Sequence, residues 1–320
     1  MTTVQRLPAW PSDLAETHRF QVANTTGIDT VPTAFGTLGA ALTRIALGRF
    51  RVFADLGAGS MGEVALAEDS LLCRRVAIKR LRPALAGDPW HRWRLRNEAR
   101  ITAQLDHPAI VRVLDLVCED GVDHIVMEYV PGPSLRTLRG SGPLTIARTV
   151  QIAIELADAL DHVHGAGIIH RDVKLENVLT SQDGRPKLND FGIACTAASA
   201  ASGGGEVMGT PRSMSPEQTL GESVDCRSDL FSLGVLLYEL LTGASPFAAD
   251  DHAQTMRRIV LHQPRPLAAE MPGAPQALAE LVDQLLDKRP PRRPQSAQEV
   301  AARLRAIADD ARERDQRTMM

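Results

Sequence analysis

The fold of this chain is decided by the stretch His170-Arg171-Asp172-Val173-Lys174-Leu175-Glu176-Asn177, which is soon followed by Asp190-Phe191-Gly192. The two motifs supply two carboxylates, with an amine and an amide between them. An apolar pair and a turn separate the motifs, which indicates a loop flanked by short strands that brings both carboxylates to one mouth. Two acids, an amide and a lysine in one mouth suit a metal-bound polyphosphate and a hydroxyl to be activated.

A glycine-rich motif, Gly57-Ala58-Gly59-Ser60-Met61-Gly62, lies well upstream. The GxGxxG spacing alone is a weak signal, because dinucleotide-binding folds share it. Those folds need a helix after the third glycine to hold the pyrophosphate. Here Val64 and Leu66 fall on one face of an alternating pattern, which is typical of a strand. The sequence therefore predicts a β-hairpin whose glycine-rich tip folds over phosphates.

A lysine ends the apolar stretch Val76-Ala77-Ile78-Lys79, and a helix start follows at Asp88-Pro89. The side chains of this helix that share one face are Leu95, Glu98, Thr102 and Leu105. An acid on an inward-facing stripe needs a cationic partner, and Lys79 is the candidate for Glu98. The alternative for Lys79 is an ordinary surface lysine at a strand end.

The motifs, taken together in this order, resemble those of the protein kinases. Lys174, the Gly-Thr-Pro element at 209–211 and the Met-Ser-Pro-Glu run at 214–217 are similar to the eukaryotic-like (Hanks-type) bacterial serine/threonine kinases. The resemblance implies an α+β, two-lobed fold over residues 49–306. The small lobe (about 49–128) is expected to be an antiparallel sheet with one helix, and the large lobe (about 132–306) mainly α-helical.

The resemblance implies these catalytic residues: Lys79, Glu98, Asp172, Lys174 and Thr210. Asp172 would accept the hydrogen bond of a substrate hydroxyl and take its proton, and Lys174 would neutralise charge on the moving phosphoryl group. Thr210 would bond to both. Asn177 and Asp190 would hold Mg²⁺, with Mn²⁺ as the alternative, against the phosphates of ATP.

The resemblance also implies a set of residues that would bind ATP: Leu56, Gly57, Gly59, Gly62, Val64, Ala77, Lys79, Met127, Glu128, Val130 and Leu179. Met127 would guard the back of the pocket, while Glu128 and Val130 would supply hinge hydrogen bonds to adenine. The apolar members could equally be plain core.

Residues 193–214 resemble an activation segment, with a composition of small and hydroxyl side chains that is typical of a floppy loop. Arg171, beside the catalytic aspartate, is the natural receptor for a phosphate on this loop. The hypothesis is activation by autophosphorylation on Thr196, with Ser199 or Ser202 as alternates. The alternative is a loop that merely happens to contain hydroxyls.

Several further elements are predicted. Strands are expected at 110–117 and 124–127, and helices at 38–47, 144–164, 228–241 and, in several pieces, 253–314. Asp229 would cap the backbone amides of the catalytic loop. By resemblance, Glu217 and Arg293 would form a buried ion pair.

Four positions depart from the family pattern: Thr102, Leu175, Ser213 and Arg289. None removes a catalytic group. Thr102 stands in a stack with Val113, His170 and Phe191, where an aliphatic side chain is normal. Its hydroxyl needs a partner there.

The composition excludes other classes. The 320 residues are 44% hydrophobic and 23% charged with net charge −3, so no basic field predicts a nucleic-acid or membrane partner. Four widely spaced cysteines indicate a reduced, cytoplasmic protein, and no apolar run is long enough to span a membrane. Residues 1–48 are expected to be a flexible extension, or else a segment that packs on the domain or docks a partner. Residues 307–320 are expected to be a tail with a frayed end.

The predicted function is transfer of the ATP γ-phosphoryl group to serine or threonine hydroxyls of proteins, with input from a regulatory protein partner. Two alternatives stay open. One is a pseudokinase or scaffold that binds nucleotide or a partner without turnover. The other is a kinase fold that acts on a small molecule.

Overall fold

The structure is a computed structural model, and it describes residues 46–318 except 60–61 and 201–210. Predictions on Ser202, Thr210 and residues 1–45 therefore lie outside the described residues. The helix predicted for 38–47 is wrong at its end, because Ala46–Leu47 is a strand that pairs with the next one.

The small lobe is a six-stranded antiparallel sheet in the order β1-β2-β3-β4-β6-β5. Its strands are β1 (Ala46–Leu47), β2 (Phe50–Ala58), β3 (Gly62–Asp69), β4 (Arg74–Leu81), β5 (Val113–Glu119) and β6 (Val122–Glu128). The glycine motif joins β2 to β3 as a hairpin, as predicted. Residues 110–112, predicted as the start of a strand, are not part of β5. The N–H of Val111 instead donates to the carbonyl of Leu188 in the large lobe, at 2.8 Å.

Two helices, α1 (Pro83–Ala86) and α2 (Pro89–Thr102), follow β4. The side chain of Asp88 accepts a hydrogen bond from the N–H of Trp90, and Pro89 occupies the first turn, so the predicted helix start is confirmed. Leu95, Glu98 and Thr102 are buried together on the inner face. The prediction that Leu105 belongs to this helix is wrong. The helix stops at Thr102, and Leu105 is buried beyond it.

The large lobe is mainly helical and holds the largest apolar cluster of the described chain. Its helices are α3 (Leu135–Gly140), α4 (Ile146–Gly165), α5 (Ala197–Ala200), α6 (Pro216–Leu220), α7 (Cys226–Thr242), α8 (His252–Leu261), α9 (Leu267–Glu270), α10 (Gln276–Leu285) and α11 (Ala297–Thr318). Its short strands are β7 (Ile168–Ile169), β8 (Val178–Thr180), β9 (Pro186–Leu188) and β10 (Cys195–Thr196). The two-lobed α+β fold is thus confirmed.

Helices α7 and α11 differ from their predicted bounds. Helix α7 starts at Cys226 because the side chain of Asp225 caps it, and nearly all of its side chains are buried. Helix α11 crosses residue 306 without a break and reaches Thr318, so the expectation of a frayed tail after Arg314 is wrong to that point. No helix of the described residues is long and apolar enough to cross a membrane.

Candidate active site

One cation bridges two carboxylates in the cleft between the lobes. The ammonium of Lys79, on β4, lies 2.7 and 2.9 Å from the two carboxylate oxygens of Glu98, on α2. It also donates to Asp190 at 2.9 Å. The predicted pairing of the strand lysine with the helix glutamate is therefore present, and the metal-site candidate Asp190 joins it.

The pKa values of the two acids in this trio shift in opposite directions, although both acids contact the same ammonium. Burial alone would raise the pKa of Asp190, but the ammonium of Lys79 outweighs it and holds that pKa well below the usual aspartate range. Burial raises the pKa of Glu98 above its usual value, in spite of the same ammonium. Burial alone would lower the pKa of Lys79, yet Asp190 and Glu98 together hold it above its usual value. At neutral pH the ammonium is therefore charged and Asp190 is ionised.

Asp172 lies at the mouth that the sequence predicted, together with Lys174 and Asn177. Its Oδ2 accepts hydrogen bonds from the Lys174 ammonium at 2.7 Å and from the Asn177 amide at 2.9 Å. The residue is 8% exposed, and its Oδ1 has no hydrogen-bond partner among the described residues. A buried carboxylate oxygen without a partner is an acceptor waiting for a donor such as a hydroxyl.

Two residues of the candidate site have an unusual backbone conformation. Arg171 and Asp190 both have positive φ, at 69° and 64°, which non-glycine residues adopt rarely. The buried carboxylate of Asp229 accepts from the N–H of His170 at 2.9 Å and of Arg171 at 2.8 Å, as predicted. His164 lies 2.8 Å from the same carboxylate. These bonds, made by α7 and α4, hold the strained loop in place.

The predicted adenine contacts come together in one apolar cluster. Ala77, Met127 and Val130 are buried in it, and Leu56, Val64 and Leu179 pack against it. Leu179 comes from the large lobe and the others from the small lobe or the segment after it, so the cluster lies between the lobes. Its chemistry suits a flat, apolar ring.

The backbone contacts of two predicted phosphate-loop glycines explain their role in the hairpin. A Cβ at Gly62 would lie 2.6 Å from the carbonyl oxygen of Arg80 on the neighbouring strand, which leaves no room for any side chain. The N–H of Gly59 donates to the carbonyl of Gly62 at 2.8 Å and closes the hairpin tip. Gly57 pairs with Val64 in the ladder of β2 and β3.

The hinge residue Glu128 has its N–H engaged, because that N–H donates to the carbonyl of Arg112 at 2.9 Å. A hydrogen bond from Glu128 to adenine would therefore have to use its carbonyl oxygen. Its carboxylate pairs with the ammonium of Lys187, on β9, at 2.7 Å. This pair connects the hinge with the large lobe.

The start of the predicted activation segment is ordered. Cys195 and Thr196 form β10, which pairs with β7, and Ser199 lies in α5. The interpretation of 193–214 as a floppy loop is therefore wrong for residues 195–200, because residues 195–196 pair with Ile168–Ile169 and residues 197–200 form α5. Arg171, the predicted phosphate receptor, lies 3.6 Å from the Cys195 sulfur.

The predicted buried ion pair is present, since the guanidinium of Arg293 donates to the Glu217 carboxylate at 2.7 and 2.9 Å. The hydroxyl of Thr102 has the partner it needs, the carbonyl of Glu98 one turn earlier, at 2.9 Å. The rings of His170 and Phe191 are in contact, with centroids 4.4 Å apart and planes tilted by 54°. Leu175 and Ser213 are both buried, and Arg289 is exposed.

Sequence reasoning missed Arg94. This buried arginine on α2 donates to the carbonyl of Gly192 at 2.9 and 3.3 Å and so ties the helix to the motif that carries Asp190. The signal was available, because Arg94 lies four residues before Glu98 and shares its helix face. Arginine is usually a surface residue, so the sequence pattern did not assign Arg94 to the inner face of α2.

Asp190 and Asn177 are the candidate ligands of a metal ion at this site. Among the described residues there is no group of three or more His, Cys, Asp or Glu side chains that could hold one. Asp190 and Asn177 offer hard oxygens of the kind that Mg²⁺ binds, and Mg²⁺ commonly takes one or two protein ligands plus phosphate oxygens. The donor set therefore fits a metal that arrives with a nucleotide.

The geometry joins a cation that can hold phosphates, an open carboxylate and a glycine-rich hairpin. The family model described as protein kinase domain matches residues 50–303 of the chain. The chain belongs to the protein kinase family. The match spans both lobes and every catalytic motif described above.

Several curated bacterial proteins are similar to this kinase chain. A probable serine/threonine-protein kinase of Streptomyces coelicolor, SCO3848, is 42% identical over 82% of the chain and 40% of its own length. The serine/threonine-protein kinase pkn2 of Myxococcus xanthus is 43% identical over 81% of the chain and 32% of its own length. PknB of Mycobacterium tuberculosis is 41% identical over 80% and 42%. The chain thus spans less than half the length of these relatives.

Proposed function

We propose that this chain is an active ATP-dependent serine/threonine protein kinase that transfers the γ-phosphoryl group to protein hydroxyls. The observation that carries the proposal is the trio of Lys79, Glu98 and Asp190 together with the Asp172 carboxylate, which is linked to it through Lys174: this lysine pairs with Asp172 and lowers the pKa of Asp190. The names of the similar bacterial proteins agree with this activity. No observation favours a scaffold without turnover or a small-molecule kinase, because all the groups needed for phosphoryl transfer are present.

The reaction uses few side chains. Lys79 binds the α- and β-phosphates, while the adenine ring lies in the apolar cluster of Leu56, Val64 and Leu179. Oδ1 of Asp172 accepts the hydrogen bond of the substrate hydroxyl and takes its proton as the oxygen bonds to the γ-phosphorus. The bond from that phosphorus to the bridging oxygen breaks, and ADP leaves. Lys174 neutralises charge on the moving group.

The metal is Mg²⁺ in this proposal, with Mn²⁺ as the alternative. Asn177 and Asp190 would hold it, and it would neutralise phosphate charge. The Asn177 amide nitrogen donates to the backbone carbonyl and to the carboxylate of Asp172, both at 2.9 Å, which turns the amide oxygen away from Asp172.

Regulation by autophosphorylation is the second part of the proposal. Thr196 is the first candidate acceptor, with Ser199 and Ser202 as alternates, and Arg171 is the proposed receptor for the phosphate. The contact of Arg171 with Cys195, the neighbour of Thr196, supports this assignment. Thr210 would contact Asp172 and Lys174. The test is mass spectrometry of the active protein, and an unmodified segment on a fully active enzyme would refute the hypothesis.

The remaining assignments are also proposals. The kinase domain would span 49–306, preceded by an extension and followed by the end of α11. The location would be cytoplasmic, with protein substrates, a regulatory protein partner, and no nucleic-acid or membrane partner. The net charge of −3 supports the last of these.

The decisive experiment is a phosphorylation assay of the purified chain with γ-labelled ATP and either Mg²⁺ or Mn²⁺. Asp172→Asn and Lys79→Met are compared with the wild type and with Asp310→Asn, which makes the same chemical change at an exposed site on α11. Label on the wild type and on Asp310→Asn alone, recovered as phosphoserine or phosphothreonine, is the expected result. ATP binding without label on any protein would contradict the proposal.

A further inference from the structure

The outer face of α2 carries a groove of about 290 Å³. None of the proposed catalytic residues lines this groove. Its lining residues are Gly87, Pro89, Arg92, Trp93, Arg96 and Arg100. The proposed reaction uses none of its residues.

The position of the groove follows from helix geometry. Glu98 and Arg94 point inward, to Lys79 and Gly192, and are buried. Arg92, Arg96 and Arg100 recur every four residues and so form one stripe on the other side of the helix. A molecule bound to this stripe would leave the nucleotide cleft open.

The arginines of the stripe are partly preorganised. The buried carboxylate of Asp123, whose side chain is 2% exposed, accepts from Arg96 at 2.8 Å and from Arg92 at 3.3 Å. Arg100 is exposed and makes no ion pair within the described residues. Three guanidinium groups against one carboxylate leave an excess of two positive charges. The chain as a whole has net charge −3, so this excess is local.

An apolar surface accompanies the charge. Trp93 is 48% exposed, although it is one of only three tryptophans in the chain. Exposed aromatic side chains beside arginines are typical of the centre of protein interfaces, where tryptophan and arginine are enriched. The groove therefore has both a charge that selects a partner and an apolar surface that can be buried.

We propose that this groove docks an acidic segment of a partner protein. Carboxylates of the segment pair with Arg96 and Arg100, and an apolar side chain packs on Trp93. The stripe from Arg92 to Arg100 is about 12 Å long at the helical rise per residue. An extended peptide covers that length with about four residues, so a short acidic stretch around one apolar residue is sufficient.

The end of α11 in a second copy of the chain is a poor occupant. The exposed acidic residues at the end of α11 are interleaved with arginines, and Asp309 already pairs with Arg312 at 3.3 Å. A charge-mixed helix does not complement a stripe with excess positive charge. The short length of the stripe likewise suits a peptide better than a nucleic-acid backbone, which binds along extended basic surfaces.

The test is fluorescence polarisation with the full chain and a labelled peptide, Glu-Asp-Phe-Asp-Glu, flanked by Gly-Ser. We expect saturable binding that weakens at higher salt, because exposed ion pairs are screened. Arg100→Glu should weaken it by about fivefold, the factor of a strong exposed ion pair. Trp93→Ala should weaken it by about threefold, and the peptide with Ala for Phe similarly.

The matched control is Arg257→Glu, the same charge reversal at an exposed site on α8, and it should bind like the wild type. Circular dichroism confirms that each variant is folded. Equal affinity of Arg100→Glu and the control would overturn the proposal. So would equal binding of a single-stranded DNA of the same charge, or self-association of the chain that Arg100→Glu abolishes, since each names a different occupant.

Discussion

In the cleft, burial and neighbouring charges together set the pKa values of single carboxylates. Lys79 pairs with both Glu98 and Asp190, and Lys174 also favours the ionised form of Asp190, so the pKa of Asp190 stays low while burial raises that of Glu98. Of these two carboxylates, Asp190 has the lower pKa, and it is the one proposed to face the metal ion and the phosphates. The carboxylate that positions Lys79 is more easily protonated.

At the scale of single residues, we predict that a substitution of Gly62, the third glycine of the hairpin, impairs ATP binding. In Gly62→Ala the new Cβ would lie 2.6 Å from the carbonyl oxygen of Arg80, so β3 must shift and the hairpin tip moves with it. We expect the KM for ATP to rise about tenfold, because a displaced loop loses phosphate contacts. Steady-state kinetics measures this.

Gly140→Ala is the control for Gly62→Ala, because nothing lies within 4 Å of a Cβ at Gly140. Its KM for ATP should match that of the wild type. A Gly62→Ala enzyme with unchanged KM would show that the hairpin tolerates the shift.

Arg94 makes a second residue-scale prediction. In Arg94→Met the carbonyl of Gly192 loses its guanidinium donor, and Asp190 is held less firmly. We expect kcat to fall about tenfold with little change in the KM for ATP, since positioning is lost and binding is not. Arg257→Met, at an exposed site, should leave both parameters unchanged. A larger effect on KM than on kcat would contradict the positioning role.

At the scale of elements, the N-terminal end of α7 supports the catalytic loop. Asp229 accepts from two consecutive backbone N–H groups and contacts His164 on α4, so two helices meet at one carboxylate. Burial alone would raise the pKa of Asp229, but His164 and the other donors outweigh it and hold the pKa below its usual value.

The prediction for this element is that Asp229→Asn lowers the free energy of unfolding by about 2 kcal/mol, because an amide cannot accept from all three donors. Activity should fall as well, since Arg171 is strained. Asp310→Asn is the control, and urea unfolding is the measurement.

The difference in stability between the wild type and Asp229→Asn should depend on pH. An aspartate with a lowered pKa in the folded state stabilises above its unfolded value of 3.8, and that stability is lost as pH falls through the folded pKa. The difference between wild type and Asp229→Asn should therefore shrink in acid. A difference that grows in acid would refute the assignment.

At the scale of the whole molecule, the ammonium of a half-buried lysine lies over two phenylalanine rings of the large lobe. The Lys288 ammonium is 3.8 Å from the ring centroid of Phe247 and has no hydrogen-bond partner among the described residues. Burial and the neighbouring Arg293 together lower its pKa to about 7, although Asp287 acts in the opposite direction. The folded state therefore binds this proton more weakly than the unfolded state.

The prediction is that stability attributable to Lys288 rises with pH between about 7 and 10.5, because only the unfolded chain holds the proton there. Lys288→Met should remove this rise and stabilise the protein by about 1 kcal/mol near pH 7, discounted for partial solvation. Thermal unfolding across this pH range is the measurement. A variant less stable than the wild type at pH 7 would show that the contact with Phe247 dominates.

The sequence predicted the site better than it predicted the element ends. Asp172, Asn177 and Asp190 could be placed together, because short-range motifs carry their chemistry at fixed spacing. The strand before Val113 and the end of α2 were misplaced. In both cases long-range pairing or helix termination, such as the bond from Val111 to Leu188, overrode the local pattern.

The sequence by itself determined the order of motifs, the two-lobed fold and the chemical groups of the candidate site. The order and the chemical groups rest on spacing along the chain, and the two-lobed fold rests on the resemblance of these motifs to those of the protein kinases. Only the tertiary structure decided that Arg94 holds Gly192, that Lys79 bridges two acids, and that residues 195–200 are ordered. These contacts join residues far apart in the chain, and their strength depends on burial and distance, which no local pattern encodes.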